Sequence, residues 1–118
     1  MLRDRARRRF LASDVQLVVE RSSEHPIEYA IVLLVLRDGR CRTARTFDNA
    51  HDPSEHHEHR YVGLEKQPPT VTYGSVNDAM CAAELKLLRD WRDIVQAGST
   101  CNERDHRQDR RAVHGGVA

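Results

Sequence analysis

Residues 27–36, IEYAIVLLVL, form a nearly continuous apolar run in a chain that is 31% charged as a whole. Its uncharged part, residues 29–36, is far short of the roughly 20 residues that span a bilayer. That excludes a membrane span, and its length and β-branched content fit a strand buried on both faces. Such a strand is central and demands a neighbour on each side. Behind it, Arg37-Asp38-Gly39-Arg40 supplies the positive-φ positions of a tight hairpin. The run that follows, CRTARTF at 41–47, alternates, with Cys41, Thr43, Arg45 and Phe47 on one side and Arg42, Ala44 and Thr46 on the other. In front, residues 15–20 (VQLVVE) suit a first strand. After a polar loop at 48–58, a fourth strand is expected from His59 to about Leu64, ended by Pro68-Pro69, because proline cannot donate to a ladder.

The last element is helical. Ser75 stands as N-cap with Asp78 three residues on, an acidic variant of the capping box. Val76, Met80, Ala83, Leu87, Trp91 and Ile94 follow at helical spacing, and Ala79, Leu88 and Val95 widen the stripe. Trp91, on that stripe, is expected in the core. Lys86–Asp90 and Arg89–Asp93 are expected as exposed i,i+4 pairs, and Gly98 as the residue closing the helix. The expected architecture is therefore α+β: a small antiparallel sheet of about four strands with one long C-terminal amphipathic helix packed on one face.

Both ends differ from this core. Residues 1–9, MLRDRARRR, carry five Arg and one Asp, and 102–118 is almost devoid of apolar residues. The organisation expected is a flexible basic arm at 1–12, a single domain at 13–98 and a disordered polar tail at 99–118. Three cysteines, Cys41, Cys81 and Cys101, show no CxxC spacing, so neither a disulfide framework nor a cysteine zinc site is expected. Together with the lack of an apolar segment after the first charges, this points to a reduced, cytoplasmic protein. The net charge of +1 favours neither nucleic acid nor membrane, but it is an average. The segment 48–66 holds five acids, two bases and four histidines.

Those four histidines, His51, His56, His57 and His59, fall within nine residues, DNAHDPSEHHEHRY being the local sequence from Asp48 to Tyr61. If 58–61 is extended, His57 and His59 share a face and His56 and Glu58 take the other. Three chemistries compete. In acid–base cleavage of RNA, one imidazole starts neutral as base and a second charged as acid. His57 and His59 would form that pair, His51 would be a third catalytic or orienting group, and Asp48 would fix a tautomer. Arg45, Arg60 and Lys66 would hold phosphate, with Asn49, His56 and Tyr61 as further substrate contacts. In the second reading, a divalent metal is held by His57, His59 and His51 or Asp48 for hydrolysis. In the third, the cluster is a solvated loop or the binding surface of a non-catalytic interaction domain. For the first of these no cofactor or metal is expected, because a 2′-hydroxyl supplies the nucleophile.

Phe47-Asp48-Asn49-Ala50-His51, a short Pro-containing linker, His56-His57-Glu58-His59 and a helix opening after Ser75 together resemble the TumE-like toxin family of prokaryotic toxin–antitoxin modules, or a sister family of uncharacterised domains sharing that core. The family shows an aromatic-Asp-Asn-Ala-(Pro)-His motif followed by His-His-x-His. The motif match covers residues 47–59, and the element order matches over 15–95. The resemblance implies a growth-inhibiting toxin that acts on RNA or translation and is neutralised by a cognate antitoxin protein.

Overall fold

The computed structural model describes residues 3–114, with side chains for 3–97. Its centre is the apolar run. It forms β3 (Tyr29–Arg37), flanked by β2 (Val15–Arg21) and β4 (Arg40–Asp52), both antiparallel to it. Asp38 and Gly39 turn the chain between β3 and β4 with φ of 52° and 75°, the pair of left-handed conformations that a two-residue hairpin needs. Outside β2 lies β1 (Arg5–Ala12), and outside β4 lies β5 (Glu55–Val62). The far edge of β5 pairs with two short strands, β6 (Glu65–Lys66) and β7 (Thr70–Tyr73). Among the described residues the sheet thus holds seven strands, where about four were expected.

The helix α1 (Val76–His114) crosses one face of this sheet. Val15, Leu17 and Val19 of β2, Tyr29, Ile31 and Leu33 of β3, and Ala83 and Leu87 of α1 form the buried core. The expected stripe is the stripe that packs: Val76, Ala79, Met80, Leu88, Trp91, Ile94 and Val95 all lie against that core. Ser75 caps the helix, its Oγ accepting the Asp78 N–H at 3.1 Å. The helix does not stop at Gly98; its backbone runs on to His114. Beyond 97 the side chains fall outside the described residues, but the tail expected to be disordered at 99–118 has a helical backbone as far as His114. Neither i,i+4 pair is the one formed, since Lys86 reaches Glu58 on the sheet and Arg89 bonds its neighbour Asp90. Among the described residues, no helix is long and apolar enough to cross a membrane.

Three expectations are corrected. The basic arm is strand β1, because β2 would otherwise present an unpaired edge. Arg7 forms a two-pronged pair with Glu84 of α1 at 2.8 and 2.9 Å, and Asp4 receives the Ser23 backbone N–H and hydroxyl at 2.8 and 2.6 Å. The polar loop at 48–58 is instead the continuous hairpin of β4 and β5, turned at Asp52, whose Oδ1 accepts the Ser54 backbone N–H and hydroxyl, both at 2.8 Å. Alternation along β4 is also broken. Leu33 pairs with Arg45 but Leu34 with Thr43, so Ala44 is a bulge residue. Arg42 consequently points to the helix side and not to the side opposite Arg45.

Candidate functional site

The bulge sets which residues of β4 meet the helix. Cross-strand partners share a face, so Arg45 and Phe47, opposite Leu33 and Ile31, lie on the helix side with Glu58 and Arg60 of β5. Asp48 is opposite His57, and Thr46 opposite His59. These four occupy the other, open face. The expected split of His57 and His59 from His56 and Glu58 is therefore present, and it separates two kinds of histidine.

His56, on the helix side, is 5% exposed and held at both ring nitrogens. Its Nδ1 lies 2.9 Å from the Tyr29 hydroxyl and its Nε2 lies 2.8 Å from the Gly74 carbonyl. The Gly74 carbonyl can only accept, so Nε2 carries the proton and Nδ1 accepts from Tyr29. Burial and the negative charge of Asp48 push the phenol up to about 12, which keeps it a donor. Asn49 is equally committed to structure. Its Oδ1 accepts the Tyr29 N–H at 2.8 Å, and its Nδ2 donates to the Ile27 and Pro53 carbonyls at 2.8 and 3.2 Å. It closes the backbone where the β3–β4 ladder runs out. Neither residue is free to meet a substrate.

Arg45 is likewise removed from the histidines. Its Nη1 pairs with Glu58 Oε2, and Lys86 of α1 donates to both Glu58 oxygens at 3.1 and 3.0 Å. Arg60 donates to the Thr70 hydroxyl at 2.7 Å. Both arginines are on the helix side of the sheet, Arg45 on β4 and Arg60 on β5, and the phosphate role expected of them does not reach the open face.

The open face assembles a different set. His59 Nε2 stands 3.1 Å from Asp48 Oδ2, and His57 Nε2 stands 2.8 Å from Glu55 Oε1. A carboxylate accepts, so each pair places a ring proton on Nε2. The two rings stack, with centroids 5.8 Å apart and planes 17° from parallel. His51, exposed near the hairpin tip, tilts against His57 at 5.1 Å. Tyr61 follows His59 on the same face and pairs with Lys66 of β6. Burial pushes His59 below the usual imidazole value of 6.5; Asp48 opposes that, while Lys66 and His57 add to it. His57 and His59 are 7% and 8% exposed, and the Nδ1 atom of each is buried without a partner.

The Nδ1 atoms carry the chemical meaning of the site. A neutral ring with Nε2–H spent on a carboxylate keeps its lone pair on Nδ1. Two Nδ1 atoms, side by side, buried and unpaired, are a cost that a structural cluster normally avoids. The arrangement can accept protons or hydrogen bonds from a group brought to it. For the metal reading, no group of three or more His, Cys, Asp or Glu side chains among the described residues is disposed to hold an ion. Glu55 was not singled out in the sequence. Its signal is its place two residues before His57 on the same strand face, legible only once β5 is known to begin at Glu55.

No family model, no curated protein and no solved structure matches this chain.

Proposed function

We propose that the chain is an RNA-cleaving domain acting through two carboxylate–imidazole pairs, Asp48–His59 and Glu55–His57, and that it serves as the toxin of a toxin–antitoxin pair. The observation that carries this reading is the pair of unpartnered Nδ1 atoms on parallel, carboxylate-fixed rings. His59, held neutral by burial, is the base that takes the proton from a ribose 2′-hydroxyl. The 2′-oxygen attacks the adjacent phosphorus, and the bond to the 5′-oxygen breaks as His57, entering protonated, donates to that oxygen. The products are a 2′,3′-cyclic phosphate and a 5′-hydroxyl, so the step consumes neither water nor metal. Lys66 is the cation that acts on this face and the candidate for holding phosphate. Both Nδ1 atoms are covered in this conformation, so catalysis requires this face to open. The toxin role rests on the resemblance of residues 47–59 to the TumE-like motif.

The test is incubation of RNA with the purified protein and with the His57→Ala/His59→Ala double variant, each with and without chelator. Cleavage by the parent alone, ending in cyclic phosphate and indifferent to chelator, is the expected result. Equal cleavage by both proteins removes the catalytic assignment, and loss on chelation alone favours the metal reading. The burial of the Nδ1 atoms favours a second reading, a non-catalytic interaction domain. It stands if the parent leaves RNA intact yet growth arrest by the expressed chain is relieved by the neighbouring reading frame.

A further inference from the structure

Strand β1 ends the sheet. Among the described residues nothing pairs with its outer edge, and six of its eight residues are exposed. An edge of that length carries a row of backbone N–H and C=O groups able to take another strand. Its side chains are Arg5, Arg7 and Arg9 toward the helix side, and Ala6, Arg8 and Phe10 toward the open face. Arg7 is spent on Glu84, and Arg8 donates to Gln16 at 3.0 Å. Arg5 and Arg9 have no ion-pair partner among the described residues, and Phe10 is 66% exposed.

These features select the occupant. A second copy pairing through the same edge would set arginine against arginine, and like charges directly opposite each other oppose pairing. A strand with carboxylates at alternate positions places them beside Arg5 and Arg9, with its other side chains beside Ala6 and Phe10. Beside Arg5 a cavity of about 460 Å³ opens between this strand and α1, lined by Arg5, Arg7, Arg21, Cys81 and Glu84. An RNA strand would satisfy the guanidinium groups but leave the backbone row unused.

We infer that the β1 edge binds an extended acidic peptide segment of a partner protein, added to the sheet as an antiparallel or parallel eighth strand. This site is independent of the histidine face and stands or falls without it.

The probe is a fluorescein-labelled peptide of alternating Glu and Thr, eight residues long to match β1, titrated by anisotropy against the full chain. A version N-methylated at alternate amides keeps the charge but blocks the ladder on one edge, and both methylation phases are used. An oligouridylate of equal charge tests the nucleic-acid alternative. Expected is saturable binding of the plain peptide, with slowed amide hydrogen exchange across Arg5–Ala12. At least one methylated phase and the Arg5→Glu/Arg9→Glu variant should each weaken binding by about tenfold or more, while Arg5→Lys/Arg9→Lys retains most of it. The arginines exchanged are exposed, and a thermal melt checks that each variant is folded. Binding indifferent to N-methylation, tighter binding of the oligouridylate, no binding of the peptide, or occupation of the edge by a second copy in sedimentation would each overturn the proposal.

Discussion

His56 and His57 are consecutive residues of one strand, equally buried, and they lead opposite lives. His56 faces the helix with a partner at each ring nitrogen, Tyr29 and Gly74. His57 faces away from the helix with one nitrogen on Glu55 and the other unpaired. The same division runs along the hairpin. On or near the helix side Asn49 and Glu58 are satisfied by backbone groups and ion pairs, and Arg45 is paired with Glu58 but keeps a buried Nε without a partner, while on the open face His57 and His59 each leave Nδ1 unpaired. A polar group retained without a partner is expensive, so the open face is where function is expected, and the helix side is where stability is expected.

The largest test of that division is Glu58→Ala. The Glu58 carboxylate lies between Arg45 and Lys86, and its side chain is 13% exposed against 15% for Arg45. Removing it leaves the Arg45 guanidinium largely buried and uncompensated, a loss of about 3–5 kcal/mol by analogy with broken buried pairs. Denaturant melts measure it; a loss of under ~1 kcal/mol, the range of exposed pairs, would show that solvent already screens the pair.

Next in size is the contrast between His56→Leu and His57→Leu. The first strands the Tyr29 hydroxyl and the Gly74 carbonyl, costing about 1–3 kcal/mol for each group left unsatisfied. The second removes an already unpaired Nδ1 and releases Glu55, whose side chain is 33% exposed and can hydrate. It should be neutral within about 1 kcal/mol, or stabilising. Equal losses from the two substitutions would abolish the distinction between the faces.

The smallest effect is on pH dependence. His59 is held below its ordinary 6.5 chiefly by burial, so the unfolded chain binds this proton more readily than the folded one. Stability from this group is present above about 6.5 and is lost as pH falls from there toward the lowered folded value. Melting temperatures taken from neutral pH downward should therefore fall less steeply in His59→Gln than in the parent. A parent curve no steeper than that of the variant would mean the ring is as easily protonated folded as unfolded.

Much of the fold is legible in local pattern. The Asp38-Gly39 turn, the 27–36 strand and the helical stripe from Val76 to Val95 each follow from periods and φ preferences that residues carry within a short window. The basic stretch at Arg5–Ala12 is not legible in that way. Its composition reads as a solvated end, and only the unpaired edge of β2 turns it into a strand. The same limit applies at 48–58, where a polar composition hides a hairpin because its stabilisation comes from pairing with β3 and from Asn49.

For the site, the sequence by itself determined that four histidines crowd one segment and that His57 and His59, once extended, point the same way. It could not decide which neighbours were partners. Arg45 is two residues from Phe47 and near the cluster in sequence, yet its register opposite Leu33 and Arg60 puts it on the helix side, where it pairs with Glu58. Glu55 becomes a partner of His57 only because the strand begins there. Strand alternation is a local property and travels with the sequence. Which face is covered, and so which polar groups are satisfied, depends on where α1 packs, and only the tertiary structure settles that.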